Sequence, residues 1–236
     1  MRNRYIIAAS LLIVSGLFAG GQGGLNFTIG IPQGEFKENV DRIGIGISGH
    51  IAYQPNPFFA IGVALGTITY GSESRNEPFS TTIPDVMVEV TTTNNLAQVH
   101  MMMQVGMPMG YVKPYIEGRL GFNYLWTTTR IEDIDDQDEV ASSTNFDDLA
   151  LAYGTGGGLM IKVWEKGRAS SGRRSSGGSG PDKVYIDLKA IYAFGGEAEY
   201  LKEGSIARGE GTEVIYDVSK SKTDLMTIHI GAAIEF

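Results

Sequence analysis

The sequence predicts an all-β fold, with eight antiparallel strands closed up and down into a transmembrane β-barrel. Three observations predict it. Segments of roughly 8 to 15 residues alternate apolar with small or polar and are bounded by Gly, Pro, Asn or Asp clusters, the pattern of strands. The connections between them are short on one side and long on the other. The face opposite the large apolar residues carries Gly and Ala in place of the Lys and Glu of a water-facing sheet.

The segments run from about Leu25 to Ile31, Arg42 to Tyr53, Phe58 to Tyr70, Leu96 to Met107, Val112 to Trp126, Ala150 to Val163, Val184 to Phe194 and Lys222 to Phe236. No convincing amphipathic helix lies between them, so antiparallel neighbours are expected over parallel crossovers. "QPNP" joins the second and third strands and "PMGY" the fourth and fifth, whereas residues 71–95, 127–149 and 195–221 form long connections. Short turns at one rim and long loops at the other are the pattern of a membrane barrel whose long loops lie outside the cell. One connection departs from it. The segment from Glu165 to Asp182, rich in Gly, Ser and Arg, falls on the short-turn side and reads as a flexible basic linker. Two readings of it stand: an insertion tolerated at a turn, or a basic contact for an anionic periplasmic partner.

The chain opens with Arg2 and Arg4, an apolar run from Tyr5 to Phe18, and small residues. That is the layout of a secretory signal peptide, with Ala19 and Gly21 suited to positions −3 and −1, leaving residues 22–236 as one barrel domain from Gln22. The run is short for the roughly 20 residues of a spanning helix. With no cysteine, disulfides and thiolate metal sites are excluded. A net charge of −8 argues against a nucleic-acid partner, which needs a basic surface.

The faces of the strands carry the membrane argument. In the last strand Met226, Ile228, Ile230, Ala232, Ile234 and Phe236 share one face, and Thr227, His229, Gly231, Ala233 and Glu235 the other. In the second strand Ile43, Ile45, Ile47 and Ile51 oppose Gly44, Gly46, Ser48 and His50; the third and sixth divide in the same way. Small residues suit the narrow interior of an eight-stranded barrel. The apolar face then points outward, where only lipid accepts so continuous a band. Aromatics near strand ends, among them Tyr53, Phe58, Phe59, Tyr70, Tyr111, Tyr124, Trp126 and Trp164, read as interfacial girdles.

These features resemble the bacterial eight-stranded outer-membrane β-barrels of the kind seen in OmpX and the OmpA membrane domain. The leader, the alternating strands, "KPYIEGRLGFNYLW" after a short turn and the terminal "MTIHIGAAIEF" carry the likeness. The resemblance implies residence in the outer membrane of a Gram-negative bacterium, with membrane lipid and lipopolysaccharide as neighbours. It also implies that Ile230, Ala232, Ile234 and Phe236 are the signal read by the barrel-assembly machinery, and that the last strand ends at the periplasmic rim and closes against the first. The long basic turn near Arg173 departs from the family, and the cell-wall anchoring role of the OmpA kind is not expected here.

By parity Arg42, Glu117, Arg119, Lys162, Asp187, Lys189 and Glu235 face the lumen. They are read either as a salt-bridged plug or as the lining of a gate or narrow porin-like channel. His50, His100 and His229 face inward at different heights, and nothing in the sequence converges them with carboxylates as a metal site requires. No nucleophile and base pair stands out, so no catalytic residue, cofactor or metal is expected. The acidic run from Glu132 to Glu139 lacks the Gly and Glu of an EF-hand loop, and reads as a solvated loop or a cation-bridged contact to lipopolysaccharide. The expected function is structural or surface interaction through long extracellular loops. A narrow small-solute pore is the alternative, and an outer-membrane enzyme ranks below both.

Overall fold

A computed structural model describes residues 20–80, 83–133, 139–166, 180–208 and 214–236. The expected leader, save its last two residues, lies outside them, as do the centres of the acidic run and of the basic link. Eight strands close a barrel: β1 (Gly21–Pro32), β2 (Gly44–Asn56), β3 (Phe59–Ser80), β4 (Ile83–Gly106), β5 (Val112–Asp133), β6 (Glu139–Glu165), β7 (Lys183–Gly195) and β10 (Leu225–Glu235). All pairings are antiparallel and, save that of β7 with β10, join chain neighbours until β10 closes on β1 from Gln22↔Glu235 to Pro32↔Leu225. A short helix α1 (Gly34–Asn39) occupies the connection after β1, and a separate hairpin of β8 (Glu197–Arg208) and β9 (Val214–Lys222) the last long connection.

The register gives the barrel its dimensions. Starting at Asn123 on β5 and stepping to the partner on each next strand, the path runs through Gln98, Gly66, Ser48, Asn26, Gly231, Asp187 and Met160 and returns to β5 at Lys113. The return is ten residues below the start, so the shear is ten. For eight strands at ordinary spacing and rise, that shear means a tilt of about 41° and a backbone radius of about 8 Å.

Such a radius leaves little room on the inner wall, and the strands curve tightly to achieve it. A methyl added at Gly46 would fall on the carbonyl oxygen of Thr67, and at Gly121 on that of Val99; Gly156 and Gly231 meet neighbouring carbonyls in the same way. These four glycines are therefore required by the adjacent backbone, whereas Gly24, Gly44 and Gly158 are hemmed in first by the side chains of His50, Ile68 and Tyr115.

On the outside the alternation produces an apolar band. Along β4, Val99, Met101, Met103, Val105 and Met107 are all exposed, while Gln98, His100, Met102 and Gln104 between them are buried. Ala97 to Met107 covers about 25 Å along the axis at this rise and tilt, the height of a membrane barrel's apolar belt. Among the described residues no helix is long and apolar enough to cross a membrane. At the turn end, Asn56 accepts hydrogen bonds through Oδ1 from the amides of Phe58 and Phe59 at 2.9 and 3.0 Å. Gly110 takes a positive φ of 61° in the Met107–Tyr111 turn. Both short connections thus close as Asn- and Gly-bearing turns do.

Three expectations are corrected. The connection after β1 holds a helix, whose six residues are too few to display a helical period. The connections after β3 and β5 are strand extensions: pairing continues beyond the barrel to Ser80↔Ile83 and Glu132↔Glu139, in stretches rich in the Thr and Val that favour strands. Tyr70 is buried inside the barrel instead of joining the outer girdle, because it shares the inward parity of Ile68.

Gly121→Ala is expected to cost about 1–3 kcal/mol, as overpacking does, read as a lower urea midpoint for unfolding from phospholipid vesicles. Gly118 faces outward with nothing within 4 Å of an added Cβ, so Gly118→Ala should stay within about 0.5 kcal/mol of the parent. Equal midpoints for the two variants would show that the wall bends around a methyl.

Candidate functional site

The lumen is filled in layers. At the turn end Glu235 accepts from Lys113 Nζ at 2.8 Å on one carboxylate oxygen, and from Tyr185 OH at 2.9 Å and Lys183 Nζ at 3.1 Å on the other. Above it, the carboxylate of Glu117 accepts from Arg119 Nε at 2.6 Å, Gln104 Nε2 at 2.8 Å and Lys189 Nζ at 3.4 Å. Lys189 also approaches Asp187 at 3.7 Å, and Tyr115 OH donates to that carboxylate. Gln22 extends the chain by donating to Gln104 Oε1 at 3.0 Å and lying 3.3 Å from His50 Nε2. Buried charges persist only when paired and hydrogen-bonded, and here each carboxylate answers at least one cation.

Higher in the barrel, His229 Nδ1 lies 3.0 Å from both Thr28 Oγ1 and Ser48 Oγ, and its Nε2 lies 2.9 Å from Thr227 Oγ1. Asn26 and Asn123 are buried beside this layer.

The loop end is closed by apolar side chains. Ile68, Tyr70, Leu96, Leu125, Ala150 and Leu225 converge from the barrel wall, and Phe36 of α1, Val40 just after it, and Ala198 and Tyr200 of β8 complete the cluster. Phe36 meets Tyr70 and Tyr200 edge-on, with centroids 5.6 and 5.2 Å apart. The cap is tied down by polar bonds: Gln33 N donates to Asp224 O at 2.9 Å, Lys222 N to Glu35 Oε2 at 3.1 Å, and Glu199 N to Asp148 Oδ2 at 2.7 Å.

Of the residues assigned to the lumen by parity, Glu117, Arg119, Asp187, Lys189 and Glu235 are buried there and joined as described. Arg42 is exposed in the connection before β2, where parity has no meaning because the ladder starts at Gly44. Lys162 stands at the turn-end rim, half-buried, with Nζ 2.6 Å from Glu165 and 5.4 Å from the Tyr111 ring centroid. Ile230, Ala232, Ile234 and Phe236 lie on the outward face of the closing strand or just past its end, Phe236 donating its amide to Gly21 O at 2.9 Å. Lys113, Gln22, Gln104, Tyr115 and Tyr185 belong to the network without having been singled out from the sequence. Lys113 shares the parity of Glu117 and Arg119, so strand phase alone would have found it.

The imidazole and hydroxyls around His229 are a pairing that no sequence motif announces; they come from β1, β2 and β10. The second nitrogen of His229 meets a threonine, with no carboxylate to orient it. Among the described residues no three His, Asp or Glu side chains are grouped to hold a metal. A hollow of about 490 Å³ lies on the lipid side, where Gly157 and Ala190 interrupt the band between Leu159, Leu188, Ile228 and Ile230.

A closed eight-stranded antiparallel ring, apolar outside and charged inside, with turns at one rim and long projections at the other, defines an integral β-barrel of the outer-membrane type. No family model and no curated protein matches the sequence. Among solved structures the chain is similar to Ail, the attachment invasion locus protein of Yersinia pestis, in complex with the heparin analogue sucrose octasulfate (15% identity, 92% of this chain and 96% of that one, TM-score 0.41). It is also similar to Neisserial surface protein A (10%, 92% and 98%, 0.42) and to a major outer membrane protein of Thermus thermophilus (11%, 92% and 99%, 0.38). At these identities and scores the likeness assigns no role to any residue; the closed ladder and the apolar belt of the chain itself define its class.

Glu117→Ala, which strands Arg119 and leaves Lys189 only the 3.7 Å contact with Asp187, is expected to cost about 3–5 kcal/mol in unfolding from vesicles. Glu132→Ala, which removes the exposed 3.4 Å pair with Arg130, should cost less than about 1 kcal/mol. Similar losses for both would show that Glu117 is not what holds the two cations in the lumen.

Proposed function

We propose that this protein is an outer-membrane barrel with a structural or surface-interaction role, its working parts being the projections at the loop end. One observation carries the reading: the lumen is blocked twice over, by the ion network around Glu117 and by the apolar cap, while β3 to β6 and the β8–β9 hairpin extend beyond the membrane belt. A barrel built to pass solute would keep its mouth wet, whereas this one spends Phe36, Tyr70 and Tyr200 on sealing it. Its neighbours are membrane lipid and lipopolysaccharide. The outward row Ile230, Ala232, Ile234 and Phe236 serves the assembly machinery during insertion.

An enzyme is disfavoured because the Ser48 and His229 contact lies beneath the cap, away from lipid and from the cell exterior. The pore reading keeps one supporting observation, the polar side chains that recur on the inner wall from Lys113 and Glu235 up to Thr227 and Asn123, with Met102 and Met160 among them. The two readings differ in conductance across a planar bilayer. Refolded, heat-modifiable protein should be silent. Removing residues 197–222 together with Phe36→Ala should give small openings through the uncapped polar lumen. Steps from the intact protein, abolished by Glu117→Gln with Arg119→Gln, would establish the pore instead.

A further inference from the structure

The extensions of β3, β4, β5 and β6 form a four-stranded sheet whose two faces differ. The inner face is covered by β8, with Val88, Val90 and Leu201 buried against it and Arg75 Nη1 donating to Ile206 O at 2.9 Å. The outer face continues the lipid-facing side of the barrel without interruption. At its base Tyr124 stacks on Trp126 at 5.5 Å, and its hydroxyl donates to Asp147 Oδ2 at 3.1 Å. Beyond that level the cross-strand partners on this face are hydroxyls: Ser72, Thr93, Thr128 and Thr144 stand side by side on the four strands. In the next row Arg130 joins Ser74, Thr91 and Ser142. Ser74 and Thr91 hydroxyls are 2.8 Å apart, and Ser72 and Thr93 3.5 Å.

We infer that this hydroxyl face holds the oligosaccharide of glycolipids in the surrounding outer leaflet. The chemistry and the position both select that occupant. Each hydroxyl donates and accepts, as sugar hydroxyls do, and the aromatic pair at the base offers a ring face to the apolar side of a sugar. The two rows hold no apolar anchor of the kind a protein partner uses. They carry a single cation, Arg130, itself 3.4 Å from Glu132, so a multiply charged phosphate finds no cluster to meet it. At the rise and tilt of these strands the rows lie about 7 to 21 Å beyond the level of Ala97, in the layer of glycolipid head groups and core sugars, facing sideways into it.

The inference rests on the outer-membrane placement proposed above and is tested on the full refolded chain in phosphatidylcholine nanodiscs. Lipopolysaccharide carrying core sugars should shift the backbone amides of Thr93, Thr128 and Ser142 and raise the unfolding temperature, where its lipid A portion alone does not. Thr93→Val with Thr128→Val should weaken the response about three- to tenfold, the worth of one or two net hydrogen bonds, and Thr93→Ser with Thr128→Ser should retain it. Thr92→Val removes a hydroxyl from the hidden face, bonded at 3.3 Å to Thr129, and should leave the response unchanged. An equal response to lipid A, or equal binding by the valine and serine variants, would overturn the inference. So would equally tight capture of the detached sugar from solution, which would make the ligand a free glycan. A silent barrel that ignores the glycolipid ends this inference and leaves the preceding proposal in place; a conducting barrel ends that proposal and leaves this face to the same test.

Discussion

Everything in this molecule depends on closing the β-ladder. Inside a bilayer an unpaired backbone N–H or C=O has no water to turn to, so a sheet that crosses must have no edge. Here the edge disappears where β10 meets β1, with Gln22 to Pro32 paired residue for residue. Closure with eight strands and a shear of ten then sets the radius. From the radius follow the glycines of the inner wall, where neighbouring carbonyls take the space of a side chain.

A small radius also decides what the inside can be. A tube of this width is filled by its own side chains, and the fill must be polar enough to pair with itself and must leave no bare charge. The structure answers with one acceptor serving several donors: Glu117 gathers Arg119, Lys189 and Gln104, and Glu235 gathers Lys113, Lys183 and Tyr185. These networks cross between strands far apart in the chain, so they hold the ring together as well as occupy it. The cap extends the same logic outward, since α1 and β8 supply apolar groups to a mouth that the wall residues alone leave open.

Beyond the membrane the constraint relaxes, and the strands respond. β3 to β6 no longer need to close; they become a sheet with one covered face and one open face, and the two faces differ in composition accordingly. Val88 and Val90 turn toward β8, while Ser72, Thr93 and Thr128 turn outward. Edge exposure, forbidden within lipid, is tolerable here because water can satisfy it.

Alternation at a period of two determined, without any coordinates, the number of barrel strands, which faces meet lipid and which charges lie inside, because a strand's sides are decided by local geometry alone. Glu117, Arg119, Asp187, Lys189 and Glu235 were legible for that reason. Arg42 and Tyr70 mark the limits of that signal: one lies outside the ladder, and the other sits near a rim but has the inward phase of Ile68. What the sequence could not contain is register. The shear of ten, the meeting of Glu117 with Lys189, the contact of His229 with Thr28 and Ser48, and the rows of hydroxyls across four strands are relations between residues distant in the chain. Only the tertiary structure decides them, because sliding one strand past another by two residues keeps every side chain on its face and changes every partner.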